Sequence, residues 1–106
     1  MAKYLIEASY TADGAKGLLK DGGTKRRQAA EQAIKSAGGK LEGFYFAFGE
    51  NDAFVIVEAP DHATVAAVSL AISATGAVHA KTIVLLSPEE IDQAGKKSVT
   101  YRAPGH

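Results

Sequence analysis

Hydrophobic and polar positions alternate from Lys3 to Tyr10. Tyr4, Ile6, Ala8 and Tyr10 fall on one side, and Lys3, Leu5, Glu7 and Ser9 on the other. That period of two predicts a first strand. Leu41 to Phe48 is rich in aromatics and Ala53 to Ala59 in β-branched residues, compositions that suit two more strands. Between them Gly49-Glu50-Asn51-Asp52 offers residues that accept positive φ or bond their own backbone. A two-residue loop pairing Gly49 with Asp52, or a four-residue loop pairing Phe48 with Ala53, gives one and the same register. Phe44, Phe46, Phe48, Val55 and Val57 then share one face, and Leu41, Tyr45, Ala47, Phe54 and Ile56 the other. Both faces of this hairpin are apolar, whereas a sheet with one wet face alternates with polar residues. Each side therefore needs a cover. Val78 to Leu86 reads as a fourth strand.

The pattern changes to helical spacing in two places. From Thr24 to Ala37 an apolar stripe of Ala29, Ala30, Ala33, Ile34 and Ala37 faces away from charged residues. Thr24 is placed to cap it, the small stripe residues suit close packing on a sheet, and Gly38-Gly39 ends it with one glycine left-handed. Asp61 caps a second helix running to about Thr75, with Val65, Val68, Ala71, Ile72 and Thr75 at helical spacing and Gly76 as its stop. Ser87-Pro88-Glu89-Glu90 starts a third, short helix to about Lys96. Residues 11–23 read as a long glycine-rich connection pinned by Leu18 and Leu19, with a short irregular helix over Ala15–Leu19 as the alternative. The tail from Lys97 to His106 shows no periodicity and either frays or lies on a partner subunit.

Strand–helix–strand–strand–helix–strand is the ferredoxin-like α+β pattern, a four-stranded antiparallel sheet with two helices on one face. Residues 1–87 make that domain, and 88–106 add a helix and tail to it. Two helices cover only one apolar face. The simplest cover for the other is the sheet of a second copy, giving a dimeric α+β barrel, so a homodimer or higher homo-oligomer is expected.

Composition narrows the function classes. The 106 residues hold one core of modest size, and 12 basic against 12 acidic residues leave no net charge. That balance argues against nucleic acid as a partner and does little to oppose self-association. The chain has no cysteine, which excludes disulfides and thiolate metal sites. No apolar run is long enough to span a membrane, and the polar start is unlike a signal peptide. A cytoplasmic protein with no membrane partner is the expectation.

Candidate chemistry is sparse. His79, in a strand, titrates near neutrality and offers a general base or ligand; the simpler reading is a solvated edge histidine. His62 and His106 are too far from it to suggest metal-ligand spacing, and neither a metal site nor a cofactor is expected. Glu58 lies on the same strand face as Phe54 and Ile56 and, in the register above, opposite Gly43. That leaves room for a carboxyl in a partly apolar pocket; the simpler reading is a wet strand end. Tyr4, Tyr10 and Tyr45 could line a cavity between sheet and helices and offer hydroxyls to a small molecule, or be core residues with rim hydroxyls. Glu58, Tyr45, Tyr10 and His79 are the candidate pocket residues. The period-two phenylalanines read as core or dimer interface, since an RNA-stacking sheet brings a basic surface this chain lacks. Lys25, Arg26 and Arg27, beside the glycine-rich segment, are candidates for an anion, although no Walker or dinucleotide fingerprint accompanies them.

One stretch carries a resemblance. Tyr10-Thr11, Gly14 to Lys20, the helix after Thr24, Gly38-Gly39-Lys40-Leu41, Phe44-Tyr45, Phe48-Gly49-Glu50 and Asp52 to Asp61 resemble the GYD family of small bacterial and archaeal proteins. The family's Gly-x-Tyr-Asp turn reads Gly49-Glu50-Asn51-Asp52 here, with Asn51 where tyrosine is usual. The resemblance implies a ferredoxin-like, dimeric α+β-barrel fold and no established activity. Three functional readings follow. The first is a homo-oligomer that binds a small molecule or acts as an assembly or stress-related module. The second, by fold analogy, is a cofactor-independent monooxygenase- or isomerase-like enzyme. The third is an anion sensor using residues 14–27.

Overall fold

Eight elements follow one another in the computed structural model, which describes residues 1–106. They are β1 (Ala2–Tyr10), α1 (Ala12–Asp21), α2 (Gly23–Ser36), β2 (Lys40–Phe46), β3 (Ala53–Ala59), α3 (His62–Ser73), β4 (Val78–Leu85) and α4 (Pro88–Lys96). The four strands form one antiparallel sheet in the order β2-β3-β1-β4. This is the arrangement of a ferredoxin-like fold. α1, α2 and α3 belong to one side of it. Tyr4, Ile6, Val55, Val57, Ile34 and Val65 form the centre of the core between sheet and helices, and all are buried.

The segment 11–23 is a helix followed by a break, not a loop. Thr11 fixes its start: its side chain accepts from the Gly14 N–H at 3.3 Å, and its own backbone N–H donates to the Ala77 carbonyl at 3.0 Å. The first turn of α1 is thereby stitched to the α3–β4 connection. Gly14 lies so close to that connection that a Cβ would stand 2.0 Å from the Ala77 oxygen. A glycine that weakens helix propensity is the residue that lets this helix dock. The α1–α2 break falls at Gly22, with φ of 85°.

The β2–β3 hairpin keeps the expected faces but not the expected register. Phe46, not Phe48, pairs with Ala53, so the pairing has moved by two residues and the faces of Phe44, Phe46, Tyr45, Phe54 and Ile56 are unchanged. The shift has a cause in the turn. The Ala47 N–H closes it onto the Asp52 carbonyl at 2.8 Å, while the Asp52 N–H and carboxylate are taken by β1, at Ala8 O and Tyr10 N, both at 2.8 Å. Phe48 is left in the turn and fully exposed. A bulge between Leu41 and Gly43 turns Leu41 into the core rather than to the opposite face. The same change moves Glu58, whose neighbour on β2 is Lys40; Gly43 faces Ile56 instead.

The side of the sheet away from the helices is bare. Gly43, Ile56, Leu5 and Ile83 make an apolar row straight across all four strands. Tyr45, Phe54, Glu7 and Lys81 make the row on one flank, and Lys40, Glu58, Lys3 and Leu85 the row on the other. α4 does not cover them. It begins with the expected Ser87–Glu90 capping box, buries no residue and makes at most marginal contact with the other elements. The molecule is accordingly elongated, 56 × 33 × 22 Å. No helix is long and apolar enough to cross a membrane.

Candidate functional site

α2 meets the sheet through small side chains, and here small size leaves space instead of close contact. Ala30 and Ala33 roof a cavity of about 140 Å³ floored by Ile6, Val55 and Phe44, with Ile72 of α3 at its side. Ile34 and Phe44 line the same gap, and the short alanine side chains leave it unfilled. Of the 14 residues around the cavity, 13 are hydrophobic, and the exception is Arg26. Burying a polar group without a partner is costly, so an apolar lining with one cation at its margin is a specific arrangement.

Tyr10 and Arg26 also wall a second, wider recess of about 360 Å³ bounded by α1 and α3, in which Asp13 and Asp21 add two carboxylates. The two spaces share Ala33, Ile72 and Val78 as well. Tyr10, the last residue of β1, is held there by its backbone: its N–H donates to Asp52 Oδ2 at 2.8 Å. Asp52 therefore positions Tyr10, a role its place in a polar turn did not announce. Arg26 lies in the first turns of α2 and is half-buried, whereas Lys25 and Arg27 beside it are exposed. One residue of the basic run reaches the cavity and two do not, because a helix turns about 100° per residue.

The other candidates stand elsewhere. Tyr45, Glu58 and His79 belong to the bare face and do not join Tyr10. Tyr45 and His79 are exposed. Glu58 is 3.9 Å from Lys3 Nζ, which also pairs with Glu42 at 3.3 Å. A hydrogen bond from the Glu58 carboxyl is the main influence holding the Glu42 carboxyl below its ordinary value, with Lys3 and Lys40 adding to it. On the same face Asn51 Nδ2 donates to Glu7 Oε2 at 2.9 Å, and Ser9 Oγ donates to Asn51 Oδ1 at 3.3 Å. Asn51 thus pins the turn to β1. Tyr4 and His62 form a pair the sequence pattern did not suggest. Tyr4 is 1% exposed, and its hydroxyl is hydrogen-bonded to His62 Nδ1 at 2.6 Å, beside a shallow groove between α3 and β4. No three His, Asp or Glu side chains converge as metal ligands.

The chain matches the GYD domain over residues 4–94, from β1 into α4. It belongs to the GYD domain family. The matched stretch takes in both walls of the cavity, the Asn51 turn and all of the sheet but the first two residues of β1 in this GYD domain. No curated protein matches the chain at a significant level.

Proposed function

We propose that this GYD domain is a small-molecule-binding protein and that its ligand enters the space between α2 and the sheet. The observation that carries this is the apolar cavity with Tyr10 and Arg26 at its margin. Ligand sites are typically concave and mostly apolar, with a few placed polar groups. A tightly filled interior would have favoured an assembly or stress-related module. A monooxygenase- or isomerase-like enzyme is less well supported: the cavity lining has no carboxylate or imidazole, and Glu58 and His79 lie across the sheet. The test is Ala33→Leu, which places three further carbons in the cavity. Filling open space gains about 0.5–2 kcal/mol, whereas forcing atoms into a filled core costs about 1–3 kcal/mol. A raised Tm supports the reading, and a lowered Tm overturns it.

The bare face supports a second reading, a homodimer. The occupant that fits is a second copy. A two-fold axis through the Ile56–Leu5 row lays the Glu7 and Lys81 flank of one protomer over the Glu58 and Lys3 flank of the other, so each flank carries both signs toward its counterpart. Light scattering at micromolar protein is expected to give twice the protomer mass of 11.0 kDa; a monodisperse monomer sinks this reading.

A further inference from the structure

We infer that the ligand is a compact apolar monocarboxylic acid, held with its hydrocarbon body in the cavity and its carboxylate on Arg26. This rests on the small-molecule reading and gives it a chemical class. A guanidinium presents five N–H donors in a planar fork and keeps its charge at any physiological pH. In this protein Arg26 is half-buried as a residue and its guanidinium makes no ion pair; the ion pairs formed are both those of Lys3. Asp13 and Asp21 stand in the same recess without reaching Arg26. The Tyr10 hydroxyl, too, makes no side-chain hydrogen bond within the protein; the bond to Asp52 is through its backbone. Two kinds of donor therefore flank one apolar space with no acceptor supplied by the fold.

Each part of the site selects against an alternative. About 140 Å³ is close to the roughly 150 Å³ of a dry engineered cavity that takes benzene, so the body is a single six-membered ring or a short branched chain. An amine is opposed by Arg26. A neutral ring leaves the guanidinium unsatisfied, while a carboxylate meets its fork with two parallel hydrogen bonds. Asp13 and Asp21 put like charge outside the mouth, which opposes any second negative charge on the ligand, so a dicarboxylate or a phosphate dianion is disfavoured relative to a monocarboxylate that Arg26 neutralises.

Calorimetric titration of the full chain with benzoate, benzyl alcohol and inorganic phosphate tests this. Benzoate is expected to bind at least about tenfold more tightly than benzyl alcohol, the size of effect a charge-assisted hydrogen bond gives. Phosphate alone is expected not to bind. Arg26→Met keeps the stem that walls the cavity, and it should bring benzoate down to the level of benzyl alcohol without weakening the alcohol. Equal affinity for the two aromatics, or an unchanged preference in Arg26→Met, overturns the carboxylate assignment but leaves the cavity reading standing. Phosphate binding as tightly as benzoate also overturns it. Absence of binding by both aromatics overturns the assignment and the small-molecule reading together.

Discussion

The two faces of one sheet make the instructive comparison in this protein. Along β3 the side chains alternate without a break between them: Ala53, Val55, Val57 and Ala59 are buried against the helices, while Phe54, Ile56 and Glu58 look the other way. Both sets hold apolar side chains, with Glu58 the one charged member, but their surroundings differ. Three helices stand over the first set and nothing in the chain stands over the second. An apolar row covered on one side only identifies unfinished burial, since the free energy gained by removing apolar area from water is available on both sides. The covered face has its own imperfection, because the alanines of α2 leave it partly empty. The protein thus has one face closed but hollow and one face solid but open. The first suits a small ligand, and the second suits a flat partner such as its own copy.

The largest difference between the faces should appear on truncating a covered residue. Val57 is 2% exposed. Val57→Ala removes two methyl groups and enlarges the space around them, at a cost of about 2–3 kcal/mol. Chemical denaturation should show that loss at every protein concentration. If the loss is instead below about 0.5 kcal/mol, the covered face is not the seat of protomer stability and the contrast between the faces fails.

A smaller effect on the protomer, and a larger one on association, is expected from Ile56→Lys. The aliphatic stem can lie along Leu5 while the ammonium reaches water, so each protomer should stay folded by circular dichroism. Two copies brought face to face would set like charges across the axis. Light scattering should then give the protomer mass at concentrations where the natural sequence is expected to give twice that mass. A variant that still dimerises would move the interface off this face.

How much of this was legible without coordinates follows from the range of each signal. The period-two strands and the apolar character of both faces depend on neighbours along the chain, and Ser87 and Glu90 cap α4 within one turn, so all of these were readable. α1 was readable only as the alternative of a short helix over Ala15–Leu19, because Gly14 and Gly17 lower local helix propensity and the compensating contacts run from Thr11 to Ala77, more than sixty positions away. The hairpin register slipped by two because the Asp52 carboxylate serves Tyr10 rather than its own turn. The shift left side-chain faces intact but changed the neighbour of Glu58. The cavity was the least legible feature. An alanine stripe reads as close packing, and whether it closes on the sheet is decided by larger residues around it. Arg26 and Tyr10 were visible as separate candidates, one for an anion and one for a pocket, and only the fold makes them walls of the same space.

The smallest expected effect concerns acid stability, where the faces differ in kind. Over the covered face, Asp61 caps α3: its Oδ1 accepts from the Thr64 hydroxyl at 2.7 Å and the Thr64 N–H at 2.8 Å. The hydroxyl bond first, and the backbone bond with it, hold the Asp61 carboxyl below its ordinary 3.8. On the bare face Glu42 is held below its ordinary 4.5, by the hydrogen bond from Glu58 first and then by Lys3 and Lys40. A carboxyl whose folded pKa is depressed contributes stability that is present above its unfolded value and lost as pH falls through the folded one. Both groups should therefore weaken the fold in a window opening below about pH 4–5. Salt separates them in part, because the Lys3 and Lys40 attraction that adds to the Glu42 shift is screened, while the hydrogen bonds to Asp61 are local. In acid titrations followed by circular dichroism, Glu42→Gln should change the unfolding midpoint more at low salt than at about 1 M, where the Debye length falls to roughly 3 Å and the Lys3 and Lys40 attraction is screened. Asp61→Asn keeps a capping oxygen but cannot be protonated, so its change should persist at both salt levels. If salt removed both effects alike, the α3 cap would be acting as surface charge, and this last difference between the faces would be lost.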